Sequence, residues 1–145
     1  MPKHFETRVL PYSSEEIFNL VSDIESYPEF LPWCIGTRIL KQEKNIIYAD
    51  LIVGVKLVRE VYTSKVILQR PNAIDVEYEK GPFKHLINNW KFKEIGSGCE
   101  VKFFIDFEFK SRFLRGLMGV FFGEAVNRMV TAFENRANVI YGKRG

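Results

Sequence analysis

Cysteine is scarce: two residues, Cys34 and Cys99, stand far apart with no CxxC spacing in a chain of 145 residues. That spacing excludes a zinc ribbon and makes reduced thiols the default expectation. Histidine is as rare, with only His4 and His85, 81 positions apart, so no metal site is expected. Long apolar runs are also missing. The longest uncharged stretches, Phe30 to Thr37 and Gly116 to Gly123, are eight residues each. A spanning helix needs about 20 mainly apolar residues, so no bilayer crossing is expected. Nor is there charge of one sign: the formal balance is +3, with Lys and Arg spread along the chain. Steering toward nucleic acid is not indicated, and no basic stripe or aromatic platform accompanies it. Phosphate loops, Ser-His-Asp arrangements and paired-carboxylate signatures are absent as well. His4 to Leu10 already reads as structure rather than as a signal peptide.

Aromatic residues are plentiful, 14% of the chain and thirteen of them Phe. A chain of this length buries about 70% of its unfolded surface and can hold a sizeable core without disulfides. Bulky aromatics either fill such a core or line a cavity, and composition does not choose between these.

Along the chain, Phe5, Thr7 and Val9 alternate with Glu6, Arg8 and Leu10, a first strand ended by Pro11. Ser13 and Glu16 have capping-box spacing, and Ile17, Leu20, Val21 and Ile24 share a helical face. Prolines 28 and 32 allow only a short second helix or turn. Strand patterns follow at Thr37 to Lys41, Ile47 to Val55, Leu57 to Gln69, Ile74 to Tyr78, Leu86 to Phe92 and Val101 to Phe109. From about Ser111 the period becomes helical, with Met118, Phe122, Val126, Met129, Phe133, Ala137 and Ile140 on one row. The expected fold is α+β over one domain, residues 1–145. An antiparallel sheet of six to seven strands curves around a long C-terminal helix, with two short helices after the first strand.

Several motifs carry a resemblance: Tyr27-Pro28-Glu29-Phe30-Leu31-Pro32-Trp33-Cys34, Gly81-Pro82-Phe83 with Leu86, Trp90-Lys91-Phe92, Phe107-Glu108-Phe109-Lys110-Ser111, and Met129-Val130 with Ala132-Phe133-Glu134 and Arg136-Ala137. In this order the chain, from Val9 to Tyr141, resembles the coenzyme Q-binding START-domain proteins. That polyketide cyclase/dehydrase-like group also includes the bacterial ribosome-association toxins. The resemblance implies a Bet v 1-like helix-grip fold with a lipid-accepting tunnel. Ubiquinone would be its bound ligand, with no catalytic residues, no other cofactor and a role in supporting respiratory electron transfer. It implies two partners, a quinone lipid or the large ribosomal subunit, and a cytoplasmic place with peripheral contact at the inner face of a bacterial inner membrane.

Trp90, Phe92, Phe103, Phe107 and Phe109 are expected to face the helix with Met118, Phe122 and Met129, as packed core or as cavity wall. Tyr62, Ser64 and Asn88 are polar positions on apolar parity, able to meet a ligand, water or one another. The candidate ligand-facing set is therefore Trp33, Val53, Tyr62, Ser64, Phe83, Asn88, Trp90, Phe92, Phe107, Met118, Phe122 and Met129. The helix start is apolar nearly all round. It could open as a portal and press Leu117 and Phe121 toward a membrane while Arg112 and Arg115 meet head groups, or pack its glycines beneath the sheet. A cyclase-like enzyme of the same fold would need a cavity acid or base, for which Glu60 is the candidate.

Overall fold

The Ser13 hydroxyl accepts from the Glu16 N–H at 3.0 Å while the Glu16 carboxylate accepts from the Ser13 N–H at 2.9 Å, so a capping box fixes where the first helix starts. In the computed structural model, which describes residues 3–55 and 58–143 and the side chains of all of these except Val55 and 117–123, that helix is α1 (Ser14–Ser22). It follows β1 (Lys3–Leu10) and leads into a 3₁₀ turn (Ile24–Glu29). Six strands come next: β2 (Cys34–Glu43), β3 (Ile46–Val55), β4 (Val58–Gln69), β5 (Ala73–Lys80), β6 (Phe83–Ile95) and β7 (Gly98–Phe109). The chain then enters α2 (Arg112–Tyr141), capped by the Ser111 hydroxyl.

All neighbours pair antiparallel in the order β1-β7-β6-β5-β4-β3-β2. This is the helix-grip arrangement, with α1 and α2 on the concave face of one seven-stranded sheet. Strand β2 runs over ten residues, longer than the five its sequence suggests, because pairing with β3 extends it from Cys34 to Glu43.

Two glycines make the tight turns possible. At Gly81, φ is +146° and an added Cβ would sit 2.7 Å from the Tyr62 Cβ. At Gly98, φ is +151° and a Cβ would fall 2.0 Å from the Leu10 carbonyl oxygen.

One strand departs from simple alternation, and another alternates with its apolar face turned outward. In β6 the register steps between Phe83 and His85, leaving Lys84 as an extra residue. Phe83 therefore faces inward together with Leu86 and Trp90, although its number has the opposite parity. In β1 the apolar residues Phe5 (63% exposed) and Val9 (56%) face away from the helices, and Glu6, Arg8 and Leu10 face them. The reason is Arg8. Its Nη1 donates to Glu134 Oε1 at 3.0 Å and its Nη2 to Asn127 Oδ1 and Thr131 Oγ1, tying β1 to a polar stripe of α2.

Along α2, Val126, Val130, Phe133 and Ala137 are buried. The apolar row expected to continue to Ile140 stops earlier: Ile140 is 48% exposed. There Tyr141 takes over, donating to the Glu16 carbonyl at 2.9 Å with its ring beside that of Tyr12. Met118 and Phe122 lie outside the described side chains.

Candidate functional site

Between the sheet and α2 lies a cavity with about 100 Å³ of free space, partly open to solvent. Its floor is the inward parity of four strands: Leu51 and Val53 on β3, Tyr62, Ser64 and Val66 on β4, Ile74 and Val76 on β5, Leu86, Asn88 and Trp90 on β6. Phe103 and Ile105 of β7 and Met129 and Phe133 of α2 close two further sides. The last wall comes from α1 and the segment after it: Val21, Ile24, Tyr27, Leu31, Trp33 and Cys34. Tyr27 is fastened there by its hydroxyl, which donates to the Val21 carbonyl, and by its ring, edge-on to Phe133 at 5.5 Å.

None of the twenty described residues in this wall carries a charge. Burial lifts the Tyr27 and Tyr62 phenols above the usual tyrosine range, and it pushes the Cys34 thiol up to about 11. These groups stay protonated across the physiological range. Asn88 Nδ2 donates to the Phe104 carbonyl at 3.0 Å. The polar features of the wall are thus neutral donors and acceptors rather than ions.

Of the residues singled out from sequence, Trp33, Val53, Tyr62, Ser64, Asn88, Trp90 and Met129 line the cavity. Phe83, Phe92 and Phe107 do not. The Lys84 bulge turns Phe83 into a separate aromatic cluster, stacked on Phe109 at 4.7 Å and edge-on to Phe107 at 5.5 Å, with Leu114 above it. Phe92 packs against Phe18 of α1 at 6.1 Å, beyond the end of the cavity. Tyr62 touches both compartments, its ring 5.3 Å from that of Phe83. Arg112 is exposed, and Arg115 is half-buried with Nη1 4.0 Å from Glu108. Leu117 and Phe121, like Met118 and Phe122, fall outside the described side chains. Glu60 shares the inward parity of β4 but is not part of the wall.

Sequence reasoning missed the wall built by α1 and the 3₁₀ turn. Its signal was the Tyr27-to-Cys34 segment, where Pro28 and Pro32 force the chain to turn back across the sheet.

A curved seven-stranded sheet gripping a long C-terminal helix is a START-like architecture. The chain belongs to the family described as polyketide cyclase / dehydrase and lipid transport, whose model matches residues 10–134. It is 38% identical over 138 residues to the ribosome association toxin RatA of Rickettsia prowazekii, covering 92% of this chain and 94% of that protein. It is 35% identical over 147 residues to the mitochondrial coenzyme Q-binding protein COQ10 homolog B of Xenopus laevis, covering 98% of this chain and 60% of that one. Neither name is that of an enzyme. Among solved structures, a START superfamily protein from Mycobacterium smegmatis superposes with TM-score 0.81 at 22% identity, over 95% of this chain and 98% of that one. The Zhui aromatase/cyclase from Streptomyces sp. R1128 gives TM-score 0.81 at 15% identity, over 94% and 93%. At these identities the structural likeness is one of fold.

Proposed function

We propose that this protein binds a hydrophobic lipid, ubiquinone in the first instance, in the cavity under α2, and carries it in support of respiratory electron transfer. The observation that carries this reading is the chamber itself, walled by aliphatic and aromatic side chains with a few neutral polar groups. Removing a five-carbon isoprenoid unit from water gains about 3–4 kcal/mol at roughly 0.8 per CH₂. A bilayer gives that tail the same environment, so transfer from membrane to protein gains little from the tail. Head-group hydrogen bonds, about 0.5–1.5 kcal/mol each, then set the balance. Such a balance suits a carrier that must also release its cargo.

No carboxylate or imidazole stands among the described wall residues, and burial keeps the Tyr27, Tyr62 and Cys34 groups there protonated, so these residues supply no general base. Exchange with a membrane would use the exposed end of α2, where Phe113 is 69% exposed beside Lys110 and Arg112. Flotation with anionic vesicles, reduced by Phe113→Asp, checks that step. The reading as a whole is tested by extracting lipid from purified protein and identifying it by mass spectrometry. A quinone is expected to co-purify; protein that retains no lipid and takes none from vesicles would refute it.

A second reading has one specific support: relatives named as ribosome association toxins match nearly the whole chain. Sedimentation with ribosomes separates the two. Co-migration with the large subunit by protein that carries no lipid would favour the second.

A further inference from the structure

The pairing of β5 with β6 stops short of their turn. It runs from Ala73 with Lys91 to Glu77 with Ile87, although β5 continues to Lys80 and β6 begins at Phe83. A bulge flanks the gap on each side: Glu79 is passed over where β5 pairs with β4, and Lys84 where β6 pairs with β7. Bulges bend the strands that carry them, and here they turn the two arms of the hairpin apart. A side chain stands in for the missing backbone pairs, since the Phe83 N–H donates to the Tyr78 hydroxyl at 3.0 Å. Phe83, buried, plugs the space beneath the tip. Its ring lies 5.3 Å from that of Tyr62, a wall residue of the chamber, and stacks on Phe109 at 4.7 Å.

The same tip lies against the start of α2. The Lys110 N–H donates to the Pro82 carbonyl at 2.8 Å, and Leu114 packs in the cluster that holds Phe83. Residues 78–85 and 108–116 together carry five cations, Lys80, Lys84, Lys110, Arg112 and Arg115, against two carboxylates, Glu79 and Glu108. That excess equals the formal +3 of the whole chain, so cations spread along the sequence gather at one end of the fold. Glu108 is shared by Lys84 and Arg115, 4.0 Å from each, while Lys110 and Arg112 are exposed on either side of Phe113. From these observations we infer that the β5–β6 hairpin tip is a flap that responds to an anionic phospholipid surface. Lys80 and Lys84 meet the head groups with Phe113 in the interface, the tip lifts, and Phe83 withdraws from the route past Tyr62 into the chamber. This rests on the lipid-carrier reading and names the surface with which the carrier exchanges. A nucleic acid would satisfy the same cations. It would not use the apolar run from Phe113 through Leu114 and Phe83 to Tyr62, which leads inward.

The test uses the purified full chain with vesicles of phosphatidylcholine alone or mixed with phosphatidylglycerol, each loaded with short-tailed decylubiquinone. Flotation reads attachment, and quenching of tryptophan fluorescence reads uptake, because Trp33 and Trp90 both line the cavity. Wild type is expected to attach at least tenfold better to the anionic vesicles, and less well as salt is raised. Each Lys near an anionic surface is worth roughly a fivefold change in attachment. Lys80→Gln with Lys84→Gln, two exposed positions outside the wall, should therefore lower attachment at least tenfold and slow uptake, with the affinity for decylubiquinone in solution unchanged. Tyr78→Phe, which unties the Phe83 N–H, should speed uptake from phosphatidylcholine vesicles at least threefold. Unaltered attachment and uptake in the lysine variant, or a Tyr78→Phe protein no faster than wild type, overturns the flap and leaves the carrier reading standing. Wild type that ignores both vesicle types, with a lysine variant that loses co-sedimentation with ribosomes, assigns this face to RNA and overturns it too. Failure of wild type to bind decylubiquinone in solution overturns the carrier reading itself.

Discussion

Among the described residues Asp50 is the most buried ionised side chain, 7% exposed on the outer face of β3. The Thr63 hydroxyl donates to Oδ1 and the Arg38 guanidinium to Oδ2 at 2.9 Å, and these bonds, Thr63 first, hold the carboxyl below its ordinary value. Asp50→Ala should cost about 1–3 kcal/mol in urea denaturation at neutral pH, the range for unmaking a buried, charged hydrogen bond. The sign with pH follows from the lowered value. The contribution is complete above the unfolded carboxyl's pKa of about 3.9 and disappears as pH falls through the folded one. The gap between wild type and variant is therefore expected to close below about pH 4; a constant gap down to acid would mean the carboxylate's charge is irrelevant. Single residues of this kind were partly legible in advance. Ser64 and Asn88 showed themselves as polar positions on apolar parity, whereas Cys34 did not. A cysteine carries no pattern until the chain around it turns back over a sheet.

Elements place residues, and alternation is only as good as the register behind it. Along the five inner strands it held well enough to place Val53, Tyr62, Ser64, Asn88 and Trp90 on the cavity floor. The Lys84 bulge broke it at one point, and Phe83, expected among the ligand-facing residues, went to the neighbouring aromatic cluster instead. Strand β1 alternates without a break, yet which of its faces turns inward was not legible, because a local pattern cannot reveal that the partner surface, here Asn127, Thr131 and Glu134 of α2, is polar. That clasp has a measurable consequence. Arg8 is half-buried and also pairs with Glu6, so Arg8→Ala leaves the Glu6 carboxylate on β1 and the Glu134 carboxylate on α2 without the guanidinium between them. The cost is expected at about 1–3 kcal/mol. Native-state hydrogen exchange should show it concentrated in the second half of α2, with β5 and β6 keeping their protection. A uniform loss across the sheet would show instead that Arg8 supports the fold globally rather than seating the helix.

At the scale of the molecule, the chain leaves a chamber where a stability optimum would place side chains. Protein interiors are otherwise close-packed, and filling voids commonly adds about 0.5–2 kcal/mol. An unfilled chamber is therefore informative about what the protein is for. Val53, half-buried at the β3 wall, has room before it, and Val53→Phe should raise or preserve the midpoint of thermal unfolding while cutting decylubiquinone affinity at least tenfold. The surface is untouched by this change. Any association with ribosomal subunits should persist in the variant if it uses the outside of the molecule, and should be lost with the lipid if a loaded cavity is required. Undiminished quinone binding by a stably folded Val53→Phe protein would mean that the ligand sits elsewhere, and that the chamber under α2 is a packing defect rather than a site.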